Sequence, residues 1–185
     1  MTDTFDPAPV EADVRRWLER AVIGLNLCPF AKAVYARNQV RIVVSDASTE
    51  RALLEELGEE MVLLRNTPAE QIDTTLLVHP QVLGDFLDYN DFLDDAEALV
   101  EALELDGVLQ VASFHPHYQF AGTEPDDAEN LTNRAPYPIL HLLREDSVER
   151  AVAAYPEPDS IIERNVATMR DLGSERFRKL LSNEA

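Results

Sequence analysis

The sequence predicts an α/β (or α+β) fold: a mixed, partly parallel sheet of about four strands packed with helices. Three observations predict it. Short β-branched runs alternate with longer runs of helical period, the pattern of βα units. Apolar residues make up 45% of 185 residues, enough for the core of one domain. Proline and glycine punctuate most of the junctions.

In chain order, residues 1–9, with Pro7 and Pro9, read as a flexible tail, and 10–185 as a single globular domain. Val14, Trp17, Leu18, Ala21, Val22 and Leu25 recur at helical spacing, and Pro29 interrupts them. Residues 39–45 form a β-branched strand. Ser48 or Thr49 caps a helix to about Asn66, with Leu53, Leu54, Leu57, Met61 and Leu64 on its buried face. Residues 73–79 are a second strand, ended by Pro80. Residues 82–105 keep helical spacing, with a break expected near residues 88–91. The acids of 88–97 read as a solvated face of that helix. Residues 108–114 and 138–143 supply two more strands. Short helices follow over 147–155 and 161–172, with Gly173 at the end of the second. The order resembles a circularly permuted ferredoxin-like sandwich with extra helices.

Composition narrows the function. A net charge of −19 repels phosphate backbones and anionic lipid, which argues against nucleic-acid and membrane partners. The acidic, proline-bearing start lacks the pattern of a signal peptide, and one cysteine cannot form an internal disulfide. A cytoplasmic location follows as the expectation. Protein partners are not specified.

Chemistry concentrates in residues 114–144. The stretch FHPHYQFAGTEPDDAENLTNRAPY directly follows a strand and is too long for an ordinary connection. Ligands of α/β sheets gather beyond the carboxyl ends of parallel strands. His115 is the candidate acid/base, and Cys28 in LNLCPF a candidate nucleophile with His115 or His141 as its base. Tyr118, Gln119, Asn133, Arg134, Tyr137 and Arg144 are the candidate substrate-binding residues, the arginines as bidentate anion anchors. The competing readings are a buried small hydrophobe for Cys28 and salt bridges for the arginines. His115 and His117 would share a face if the chain is extended there. Without H-E-x-x-H or paired C-x-x-C, no metal and no cofactor is expected. His79 and His141 sit in strand contexts and read as structural.

The motifs LNLCPFAK, DYNDFLD, ASFHPHYQFAGT, NRAPYPILHLLRE and IIERNVATM together resemble the uncharacterised bacterial domain of unknown function family 1415, over nearly the whole chain to about Gly173. The resemblance implies no particular activity. Its pattern more often has Asp where this chain has His117, which weighs against an H-x-H metal site. The leading expectation is a small cytosolic enzyme acting on a small polar or anionic metabolite. The alternatives are a non-catalytic binding or regulatory module and an acidic protein-interaction domain.

Overall fold

The computed structural model describes residues 5–182. Helix α1 (Pro7–Trp17) runs into a π-helical segment, Leu18–Ile23. Then come α2 (Ala31–Ala36), β1 (Val40–Val44), α3 (Glu50–Asn66), β2 (Thr74–Val78), α4 (Phe86–Ala102) and β3 (Leu109–Phe114). A 3₁₀ segment, Ala128–Asn133, precedes β4 (Ile139–Arg144), α5 (Glu145–Ala154) and α6 (Ser160–Leu181).

The four strands form one mixed sheet in the order β1-β2-β4-β3. β1 and β2 pair in parallel, Val40 opposite Thr74 and Val44 opposite Val78. β4 lies antiparallel to both β2 and β3. Thus β1, β2 and β3 all point one way and β4 the other. The unit β2–α4–β3 with β4 between its strands is the split βαβ of a ferredoxin-like sandwich. The contiguous parallel pair β1–β2 departs from that all-antiparallel order.

Strand alternation sends side chains to two cores. Leu77, Leu140 and Leu142 face α3 and α4, meeting Leu53, Leu57, Met61, Tyr89, Phe92 and Ala96. Leu76, Val78 and Ile139 face α1, the π-helical segment and α6, meeting Val14, Trp17, Leu18, Met169 and Phe177. The sheet is therefore a middle layer between two helical layers.

Three expectations need correction. The first four residues of the expected tail lie outside the described residues. Pro7 and Pro9 belong to α1: Asp6 caps the helix by accepting from Ala8 N–H, and a proline in the first turn forfeits a donor that has no intrahelical partner anyway. No break occurs at residues 88–91. That stretch lies in the first two turns of a continuous α4, where Asp85 caps and Asp88 suits the positive helix end. The helical run does not begin at Val82, because residues 82–85 form a loop in which Leu83 is left-handed at φ 59°. The expected helix end at Gly173 holds: α6 is two helical stretches, residues 160–172 and 174–181, separated by Gly173 in the non-helical conformation φ 76°, ψ 157°.

Candidate functional site

The carboxyl ends of β2 and β3 lie at one edge of the sheet, and β4 begins there. Each of the two strands continues into a fully buried histidine: β2 into His79 and β3 into His115. His79 N–H donates to Pro138 O at 3.1 Å, and Tyr89 of α4 donates its hydroxyl to Ile139 O at 2.7 Å while accepting from Phe114 N–H at 3.2 Å. The Tyr89 ring lies 5.8 Å from His79 and 5.0 Å from His115. Burial pushes the Tyr89 phenol pKa upward, so it stays protonated.

His115 opens the excursion with a turn rather than an extended stretch. Tyr118 N–H donates to His115 O at 3.1 Å around Pro116 and His117, with proline at the position whose φ it pre-sets. The backbone N–H of His117 donates to His115 Nδ1 at 3.0 Å. The ring proton must therefore sit on Nε2, which donates to Leu83 O at 3.1 Å. Burial lowers the pKa of His115, with the Leu83 contact opposing, and the neutral imidazole braces two loops. His79 is built alike: Nδ1 donates to Val82 O at 3.0 Å, and burial lowers its pKa to about 4. Its Nε2 has no partner among the described residues.

Asn130, fully buried, folds the rest of the excursion. Its Oδ1 accepts from Phe120 N–H at 2.9 Å and Thr123 Oγ1 at 2.8 Å, and its Nδ2 donates to Glu124 O at 2.7 Å. Asn133 ties the excursion back to β3, donating from Nδ2 to Ser113 O at 3.2 Å while its carbonyl accepts from His115 N–H. Arg134 then crosses the loop. Its Nε donates to Tyr118 O at 3.3 Å and its Nη2 to Pro125 O at 2.6 Å.

Between this excursion and the start of α4 lies an open cleft of about 340 Å³. Gly84, Asp85, Phe86 and Leu87 form one wall; His117, Gln119, Pro125 and Arg134 form the other. Arg134 makes no ion pair with any described residue. Burial lowers its pKa and Asp126 opposes that shift, so its charge is partly desolvated without a carboxylate in contact. Asp85 Oδ1 accepts from Leu87 N–H at 2.8 Å and Asp88 N–H at 3.3 Å. Phe86 packs on Tyr118 at 5.1 Å and on His115 at 5.4 Å.

Of the residues singled out from sequence, Gln119 and Arg134 line the cleft. His115, Tyr118 and Asn133 stand behind it. His115 has both ring nitrogens held by backbone, which suits bracing rather than proton exchange. Tyr137 lies elsewhere, donating its hydroxyl to Asp13 of α1 at 2.9 Å; burial and that carboxylate push its pKa to about 12. Arg144 ends β4 at the opposite edge of the sheet. It donates to the carbonyls of Leu64 (2.6 Å), Thr67 (2.5 Å) and Ile72 (2.9 Å), sealing the carboxyl end of α3. Cys28 is half-buried between the π-helical segment and α2, where Asn165 of α6 donates to Leu27 O at 2.7 Å. It does not line the cleft. His141 Nε2 meets Thr74 Oγ1 at 2.7 Å; burial lowers its pKa.

The cleft wall at Gly84–Leu87 and the exposed His117 were not among the binding residues expected from sequence. Asp85 with Asp88 three residues on is a capping signal that marks the wall. Among the described residues, no group of three His, Cys, Asp or Glu side chains is placed to hold a metal ion. No helix among them is long and apolar enough to cross a membrane.

Fold and cleft define a three-layer α/β protein with an open cleft of about 340 Å³ at the carboxyl edge of its sheet. A family model described as a protein of unknown function, DUF1415, matches residues 9–179, and the chain belongs to that family. No curated protein and no solved structure matches it.

Proposed function

We propose that this protein is a binding module for a small anionic metabolite, with Arg134 as the anion anchor and His117 and Gln119 beside it. One observation carries the reading: in a chain of 35 acidic and 16 basic residues, Arg134 lines a cleft with no carboxylate in contact. Guanidinium offers planar, bidentate donors suited to carboxylate or phosphate. The size of the cleft suits a metabolite, and the acidic surface argues against a nucleic acid. The occupied nitrogens of His115 and the distance of Cys28 from the cleft favour binding over the catalytic roles considered for them. A cytoplasmic location belongs to this reading.

The sole tryptophan offers a probe, because Trp17 Nε1–H donates to Arg134 O at 3.1 Å. Titration with acetate and with inorganic phosphate is expected to change Trp17 fluorescence saturably, and added salt to weaken the response. Arg134→Gln is expected to abolish it while circular dichroism stays native. An undiminished response in Arg134→Gln, or none in the parent protein to any small carboxylate or phosphate, rules the reading out.

A further inference from the structure

We infer that the ligand of this cleft is a small zwitterion with an apolar arm, the chemistry of a neutral α-amino acid: its carboxylate on Arg134, its ammonium on Asp85 and its side chain over Leu87. The inference rests on the anion site proposed above and names the kind of molecule that fills it.

Three features of the lining lead to it. The first is a separated pair of opposite charges. Arg134 and Asp85 line the same cleft yet form no ion pair with each other. A bare anion on Arg134 would share the cleft with the Asp85 carboxylate, a like-charge cost in a partly desolvated place. A ligand carrying both charges turns that cost into a second contact. The second feature is the state of Asp85. Its Oδ1 is taken by the cap contacts to Leu87 and Asp88, while Oδ2 has no hydrogen-bond partner among the described residues. The cap holds this oxygen in place without consuming it.

The third feature is apolar. Leu87 is 71% exposed although it lines the cleft, and Phe86 beside it is only half-buried. Leucine and phenylalanine next to a charged pair give an amphipathic wall, which an aliphatic or aromatic side chain would cover. A cleft of about 340 Å³ lies near the small end of ligand sites, on the order of 300–1,000 Å³, and fits a free amino acid better than a nucleotide.

The test compares matched probes by calorimetry. L-Leucine and L-phenylalanine are set against 4-methylpentanoate and 3-phenylpropanoate, which lack the ammonium, and against glycine, which lacks the arm. At least one of the two amino acids is expected to bind about tenfold more tightly than its deaminated partner, and more tightly than glycine by a similar factor. Asp85→Asn preserves the cap, since asparagine caps helices as well as aspartate. It is expected to erase the preference for the amino acid while leaving the deaminated acid bound at least as well. Arg134→Gln is expected to lose both. If the deaminated acids bind as tightly as the amino acids, or Asp85→Asn leaves the preference intact, the zwitterion inference falls and the anion site stands. Glycine binding as tightly as both amino acids overturns the apolar arm. If no carboxylate binds and phosphate also fails, the inference and the anion site fall together.

Discussion

Arg134 and Arg144 flank the same strand and bond mainly to backbone carbonyls, yet they stand at opposite edges of the sheet. β4 runs against its neighbours, so its five steps from Ile139 to Arg144 carry the chain about 17 Å away from the cleft. At that far edge the last carbonyls of α3 and the following loop converge, and Arg144 takes three of them. At the near edge the strand ends β2 and β3 deliver histidines, and Arg134 spans a loop with its charge beside open space. One arginine closes a helix, and the other keeps its charge at the open cleft, where the proposed ligand would meet it. What separates them is the direction of one strand.

The largest test of this contrast is Arg144→Ala. It leaves helix-end and loop carbonyls without their donor and is expected to destabilise the fold by about 4 kcal/mol. Urea unfolding measures the loss. Ligand response per folded molecule should be unchanged, and a selective loss of binding would place Arg144 in the site after all.

Next in size is acid lability at the near edge. The pKa of His79 is about 4 in the fold against 6.5 for an ordinary histidine, chiefly from burial. Above pH 6.5 both states are neutral there and stability is complete. As pH falls from 6.5 to about 4 the unfolded chain takes up a proton that the native state refuses. This contribution therefore falls by about 3 kcal/mol across that window. His79→Phe, which can keep a stack on Tyr89, is expected to flatten the dependence relative to the parent. Parallel pH profiles of the two proteins would contradict the assignment.

Asn130→Ala comes third. It removes a buried amide that serves three partners, and about 2 kcal/mol should be lost. The loss should be local: hydrogen exchange at Phe120 N–H is expected to accelerate, while the amides of β2 keep their protection.

Much of this architecture is legible in the sequence, for reasons that also mark where legibility stops. β1 and β2 announce themselves through the β-branched residues of VRIVV and TTLLV, whereas LQVASF and ILHLLR hold one each and show as short apolar runs bounded by turn residues and proline. Thr49 caps α3 as its residue type suggests, accepting from Ala52 N–H at 3.2 Å. The excursion is visible through its length alone. Which of its residues face the cleft is not. His115 and His117 are two positions apart, and only the turn at Pro116 decides that the first is buried and the second exposed. Arg134 and Arg144 look equivalent because antiparallel pairing of β4 is a long-range choice that no local pattern encodes. Tyr137 reads as a site residue until α1 supplies Asp13 from 124 positions away.

The smallest expected effect is the most discriminating. Arg134→Gln should cost only about 1 kcal/mol of stability. One of its two contacts, to Tyr118 O, is long at 3.3 Å, and the other goes to the carbonyl of an exposed proline. The excursion keeps its main supports without it: Asn130 inside, Asn133 on β3 and the His115 brace beneath. Removing a partly desolvated charge that has no ion-pair partner also returns some of the cost of its burial. If Arg134 were a structural clamp like Arg144, its removal should approach the loss seen there and speed hydrogen exchange at Phe120 N–H. If it is reserved for a ligand, urea midpoints of Arg134→Gln and parent should nearly coincide without ligand. They should separate when a bound small carboxylate stabilises only the parent. The pair of midpoints, with and without ligand, thus measures directly whether the near-edge arginine serves the fold or the cleft.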